Sequence, residues 1–167
     1  MASGLLAPCG GTIDAGGVAL EGDACRALLP LCTFIPQSPY IFPSSVRENL
    51  LLGGSGVGDD ALIAVLRDVG LWDAIASRGG LDLRLGDRRL GLSGGQARLL
   101  AFARALLRRS SLIALDEPTA SLDHRCEDAL CNLLFKSRGS AIVIAASHRP
   151  DLIAHADCVV EVGGSHG

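Results

Sequence analysis

The chain has 167 residues, enough for one domain with a sizeable core. Hydrophobic residues make up 49% and charged residues 20%, which excludes a disordered chain. The formal net charge is -3, and no basic block or interleaved aromatic run points to nucleic acid as a partner. Of 15 cationic residues only Lys136 is lysine, a count that matters below. No apolar run approaches the ~18 residues of a membrane span. The N-terminus "MASGLLAPCGGTI" lacks the basic region of a signal peptide, so no targeting segment is expected. Cys9, Cys25, Cys32, Cys126, Cys131 and Cys158 form no C-x-x-C and pair with no His at zinc spacing. They read as buried, reduced thiols of a cytosolic protein.

In chain order, "GGTIDAGGVAL" alternates apolar residues between glycines and predicts a hairpin or two short edge strands. "LCTFIPQ" predicts a short strand stopped by Pro36, and "PQSPYIFP" a loop. Ser44 or Ser45 can cap the next helix, with Glu48 as the capping-box partner of Ser45. That helix ends in "GGSGVG", which reads as a hinge. Short helices follow from about Asp59 to Val69 and from Leu71 to Ser77, then a polar, glycine-bounded connector, "GLDLRLGDRRLG". From Gly94 to Arg108, Leu99, Phe102, Ala103, Leu106 and Leu107 recur at helical spacing. "SSLIAL" predicts a buried strand. A helix is expected from Leu122 or Asp123, with Cys126, Leu130, Leu133 and Leu134 inward. "SAIVIAAS" predicts another buried strand, "PDLIAHA" a short helix and "CVVEV" a last strand. Strands alternating with helices imply an α/β fold with a mainly parallel sheet. The helix-rich stretch from Gln37 to Leu92 reads as an inserted helical subdomain, leaving 1–36 and 93–167 as sheet core.

The chemistry concentrates in two places. "LIALDEP" ends an apolar strand in Asp116 and Glu117, at the carboxyl edge where ligands bind in parallel sheets. Asp116 can hold Mg2+ through water, and Glu117 can orient or deprotonate an attacking water. Acidic residues also end strands for plain solvation, so this pair alone decides little. "LSGGQ" opens a helix: Ser93 offers a hydroxyl, and Gly94 and Gly95 let backbone amides approach an anion at the positive helix end.

With these two together, the chain resembles the nucleotide-binding domain of ATP-binding-cassette (ABC) transporters. "LSGGQ" matches the family signature, "LIALDE" the Walker B strand, and "SLD" the D-loop. "FIPQ" matches the Q-loop and "AASHRP" the switch-histidine loop. The motifs stand in family order over nearly the whole chain. "PQSPYIFPSSVRENLLLG" is most similar to exporter-type domains. "GLSGGQARLLAFARALL" and "SHRPDLIAHAD" are similar to thiol-exporting subunits linked to cytochrome bd assembly. The resemblance implies a P-loop NTPase-like core, ATP and Mg2+ as cofactors, and a place on the cytoplasmic face of a membrane. It implies a second nucleotide-binding domain and a transmembrane domain as partners. Carried over by position, Gln37 would contact Mg2+ or the water, and Ser93, Gly94, Gly95 and Gln96 would serve the γ-phosphate. Asp116 would support Mg2+, Glu117 would act on the water, Asp123 would lie at the dimer seam, and His148 would contact the γ-phosphate.

One part of the pattern is missing. The family carries G-x-x-x-x-G-K-S/T, whose amides and lysine cradle the phosphates. Lys136 sits in "LLFKSRG", late in the chain, so these 167 residues contain no P-loop. The adenine-stacking aromatic of the family is missing too, since Tyr40 lies beyond the Q-loop. The chain therefore reads as an N-terminally truncated domain with an incomplete core, inactive without a P-loop partner. The alternatives are a non-catalytic partner that donates its signature in trans, and a soluble ABC ATPase of DNA repair or translation. An incomplete sheet also leads us to expect lost cover at Leu112, Ile113, Ile142, Val143 and Ile144.

Overall fold

The computed structural model describes residues 10–52, 56–86, 91–119, 127, 130–134 and 141–162. Asp123, Cys9, Cys126 and Lys136 lie outside the described residues, as does the start of the helix expected near Asp123. The first hairpin forms as expected. β1 (Ile13–Ala15) and β2 (Val18–Leu20) pair antiparallel, with Ile13 opposite Leu20. Gly16 and Gly17 make the two-residue turn with φ of 65° and 82°, and the Gly17 amide donates to Asp14 Oδ1 at 3.0 Å. Positive φ at both turn residues matches the right-handed twist of the strands.

A 3-10 helix over Gly22–Leu31 follows, which periodicity did not disclose. Its buried residues, Cys25 and Leu28, are three apart, the repeat of a helix with three residues per turn. β3 (Cys32–Ile35), β4 (Leu112–Asp116) and β5 (Ile142–Ala146) form one parallel sheet in the order β3-β4-β5. Ile35 lies opposite Leu115, and Asp116 opposite Ala146.

α1 (Val46–Leu51), α2 (Asp59–Asp68) and α3 (Trp72–Ala76) fall within a residue or two of their expected places. The Ser45 capping box is present: the Glu48 amide donates to Ser45 Oγ at 3.1 Å, and the Ser45 amide to Glu48 Oε2 at 2.8 Å. α4 spans Gly94–Arg108 and packs on α1, α2 and β3. It ends at Arg109, a left-handed residue with φ of 53°. α5 is Pro150–Ala154, with Pro150 in its first turn. Residues 130–134 are also helical, with Leu130 and Leu133 buried as expected and Leu134 half-buried.

One apolar cluster runs from Ile35, Ile113 and Leu115 of the sheet through Leu50, Leu62, Leu66, Ile75, Leu100 and Phe102 of the helices. The sheet is covered unequally. Thr33, Ile35, Ile113, Leu115 and Val143 alternate onto the face that carries the helices, and Ile113 is buried. Phe34, Ile142 and Ile144 alternate onto the opposite face and are exposed, Ile142 by 67%. Of the residues expected to be uncovered, Ile142 and Ile144 are exposed, Leu112 and Val143 half-buried and Ile113 buried. Strand alternation puts Ile113 on the same face as Ile35, within the cluster shared with the helices.

Two further expectations need correction. "CVVEV" forms no strand: 158–162 is irregular and its valines are exposed. A strand exists only where a neighbour supplies hydrogen-bond partners, and no described residue pairs with this segment. The cysteines are not uniformly buried. Cys25 and Cys32 are, Cys131 is partly so, and Cys158 is exposed on that same segment.

Candidate functional site

Three adjacent parallel strands end on one edge of the sheet, and each is followed by a residue singled out from the sequence. Gln37 lies two residues past β3, Asp116 and Glu117 end and follow β4, and His148 lies two residues past β5. Neighbouring strands stand about 4.8 Å apart, so the ladder alone brings these side chains to one edge. The Glu117 amide donates to the Ala146 carbonyl at 2.9 Å and ties the turn after β4 to the end of β5. The Glu117 side chain then meets His148: Oε1 lies 2.8 Å from Nδ1.

Glu117 has φ of 42°, a left-handed conformation that costs a non-glycine residue about 1–3 kcal/mol. Its second oxygen, Oε2, is buried and has no hydrogen-bond partner among the described residues. Thr119 Oγ1 is in the same condition. A strained carboxylate with one oxygen engaged and one orphaned suits a group that receives a further donor, such as a water. Asp116 is exposed at the strand end, and the Gln37 side chain also faces solvent.

The second cluster is the start of α4. Ser93 is extended, with ψ of 163°, and forms a full capping box with Gln96. The Gln96 amide donates to Ser93 Oγ at 3.2 Å, and the Ser93 amide to Gln96 Oε1 at 3.1 Å. This occupies Ser93 and Gln96 with each other and leaves the amides of Gly94 and Gly95 without an acceptor inside the helix. A Cβ placed on Gly94 would meet nothing within 4 Å among the described residues, so their packing does not require glycine there. Open space beside Gly94, next to amides with no acceptor inside the helix at its positive end, is what an anion needs.

α4 also reaches the sheet edge from the side. Arg98 Nε donates to the Gln37 carbonyl at 2.8 Å, and Thr33 Oγ1 lies 2.5 Å from Ser110 Oγ just past the other end of α4. The helix therefore runs antiparallel to β3, and its Ser93 end lies on the carboxyl side of the sheet. No contact joins Ser93 to Glu117 or His148 among the described residues; Asp123 lies outside them.

Sequence reasoning missed the polar network that holds the loop carrying Gln37. Asn49 is fully buried in α1. Its Oδ1 accepts from the Phe42 amide at 3.0 Å, and its Nδ2 donates to Phe42 O, Ser44 Oγ and Ser45 O at 2.9–3.0 Å. Arg104 of α4 donates to Asn49 O at 2.8 Å, to Tyr40 O at 2.9 Å and to Asn49 Oδ1. Burial pulls the Arg98 and Arg104 guanidinium groups below their ordinary pKa. The signal was present: arginines interrupt the apolar run "ARLLAFARALL", and Asn is a poor helix former in the interior of a short helix.

Residues 1–120 match the family model described as ABC transporter. The chain belongs to the ABC transporter family. It is 40% identical over 123 residues to the glutathione/L-cysteine transport system ATP-binding/permease protein CydC of Escherichia coli, covering 74% of this chain and 21% of that protein. It is 35% identical over 154 residues to the heterocyst differentiation ATP-binding protein HepA of Nostoc, covering 92% of this chain and 25% of that protein. A solved bacterial Atm1-family ABC exporter with ATP bound superposes with a TM-score of 0.73 at 27% identity, over 84% of this chain and 25% of the other. The chain thus spans about a fifth to a quarter of the relatives it matches.

An ABC domain works on ATP with Mg2+, and the residues here fit part of that ligand. The α4 start suits a terminal phosphate, and Glu117 Oε2 suits a water. No group of three His, Cys, Asp or Glu residues that could hold a metal occurs among the described residues. Asp116, exposed at the end of β4, is a carboxylate that would meet Mg2+ through water.

Proposed function

We propose that this chain serves as the signature-bearing part of an exporter's ATP-binding domain and acts on ATP whose triphosphate is cradled by a P-loop outside these 167 residues. The observation that carries the reading is the intact helix start at Ser93–Gln96 in a chain with no P-loop lysine. Backbone amides at a helix end need no lysine of their own to meet a phosphate that another segment already holds. In this reading the amides of Gly94 and Gly95 bind the γ-phosphate and Ser93 shapes the approach. Glu117 accepts a proton from the attacking water, and His148 holds the Glu117 carboxylate in place and contacts phosphate. Gln37 joins the edge through its side chain. Asp116 holds Mg2+ through water, and Asp123 belongs to the seam between two domains. Mg2+ supplies charge neutralisation between the phosphates. The isolated chain turns over no ATP of its own.

The partners are a second ABC nucleotide-binding domain, in a homo- or heterodimer, and a transmembrane domain. The place is the cytoplasmic face of a membrane. No helix among the described residues is long and apolar enough to cross a membrane, so the span would belong to the transmembrane part. Exporter relatives favour this over a soluble ABC ATPase of DNA repair or translation. The likeness to the glutathione/cysteine transport protein makes small thiols the first cargo to test.

The test mixes this chain with a P-loop-containing ABC domain and follows ATP hydrolysis. Ser93→Arg is expected to remove stimulation by roughly a hundredfold, as loss of a preorganised donor set does. Glu117→Gln is expected to matter far less, because Glu117 acts on water at the β4 edge of its own domain and not at the phosphate that Gly94 and Gly95 meet on the partner. Equal effects of the two substitutions, or no stimulation by the unaltered chain with any partner, reject donation in trans.

A further inference from the structure

His148 touches Glu117, yet its side chain is 81% exposed. Packing does not hold an exposed ring, so its position must come from the backbone on either side. On one side Ala146 is fixed through its carbonyl to the Glu117 amide, at 2.9 Å. On the other side is Arg149, whose Nη2 lies 2.8 and 2.9 Å from the two carboxylate oxygens of Glu127. Glu127 is buried and stands in the segment that follows Asp123. The Arg149 amide donates to Ser147 Oγ at 3.2 Å and rounds the turn between the anchors. Arg149 is also the residue from which α5 starts.

We propose that Arg149 and Glu127 are positioning residues: their ion pair is the second anchor of the Ala146–Arg149 turn and sets the His148 ring against Glu117. The pair acts through His148 and does not meet nucleotide. It ties the turn after β5 to the chain just beyond Asp123, so displacement of that chain moves His148 off Glu117. This role of the pair rests on Glu117 and His148 forming the site proposed above.

The ring itself reports its position. A carboxylate oxygen facing Nδ1 selects the Nδ1–H tautomer of a neutral imidazole, whereas a ring in water prefers Nε2–H. Long-range 15N–1H correlation spectra of the intact chain at alkaline pH read this ratio, with the His148 signal assigned from His148→Gln. Glu117→Ala is the reference for a ring with no partner. Arg149→Met and Glu127→Gln are expected to lower the Nδ1–H to Nε2–H ratio about fivefold, the worth of one ordinary hydrogen bond. Arg149→Lys is expected to restore part of it. Amide spectra of the same samples report whether the fold is kept, and Glu127→Gln supplies the answer if Arg149→Met unfolds. A shift with Glu117→Ala but none with Arg149→Met or Glu127→Gln in a folded chain overturns the clamp and spares the site. No shift with Glu117→Ala removes the Glu117–His148 contact, and both readings fail.

Discussion

Replacing Asn49 with Ala tests whether the loop carrying Gln37 is held by one buried carboxamide. The substitution leaves the Phe42 amide and Arg104 Nη2 without their shared acceptor. Other members keep partners: Ser45 O still receives the residue 49 amide at 3.0 Å, and Arg104 still donates to the carbonyls of residue 49 and Tyr40. Two orphaned donors, one of them charged, cost about 1–3 kcal/mol each, so the loss is about 3 kcal/mol. In a chain of this length that lowers Tm by about 6–12 °C. Asn49→Asp keeps an oxygen for both donors but turns the other toward Phe42 O and Ser45 O, and its loss should be smaller at neutral pH. Urea and thermal unfolding measure the magnitude, and hydrogen exchange of the Phe42 amide locates it. Asn49→Ala melting within 2 °C of the parent, or leaving Phe42 exchange unchanged, would refute the reasoning.

Glu48 is held below its ordinary pKa of 4.5, first by the Ser45 amide and then by the Ser45 hydroxyl. A depressed carboxylate adds stability above its unfolded pKa and loses it as pH falls through the folded one, so Glu48→Gln should flatten the acid limb below pH 4.5 in pH-dependent urea melts. Paired Ile142→Thr and Ile144→Thr changes on the uncovered face should raise the monomer fraction in light scattering and keep Tm within a few degrees, whereas Ile113→Thr should unfold the chain. The parent chain is expected to melt below roughly 60 °C, and a sharp transition above that would count against an incompletely covered sheet. Calorimetry should detect no micromolar ATP binding to the isolated chain, since the P-loop contacts are missing.

Local signals carried most of the architecture. The Gly16-Gly17 turn, Pro36 after β3, the Ser45–Glu48 capping box and the period of α4 each act within a few residues, where steric and hydrogen-bond rules are strong. The ordered motifs gave the family for the same reason, since each is a short stretch whose chemistry fixes its residues. Tertiary structure decided what depends on partners distant in sequence. "CVVEV" has the composition of a strand, but nothing described pairs with it, and Ile113 is buried while Ile142 is not because Ile113 lies on the face shared with the helical cluster. The Glu117–His148 contact joins residues 31 positions apart, and Arg104 meets Asn49 across 55. A sequence shows that such polar residues interrupt an apolar run. Only the folded chain shows which groups satisfy them, because a buried donor is paired by whatever acceptor the packing brings within about 3 Å.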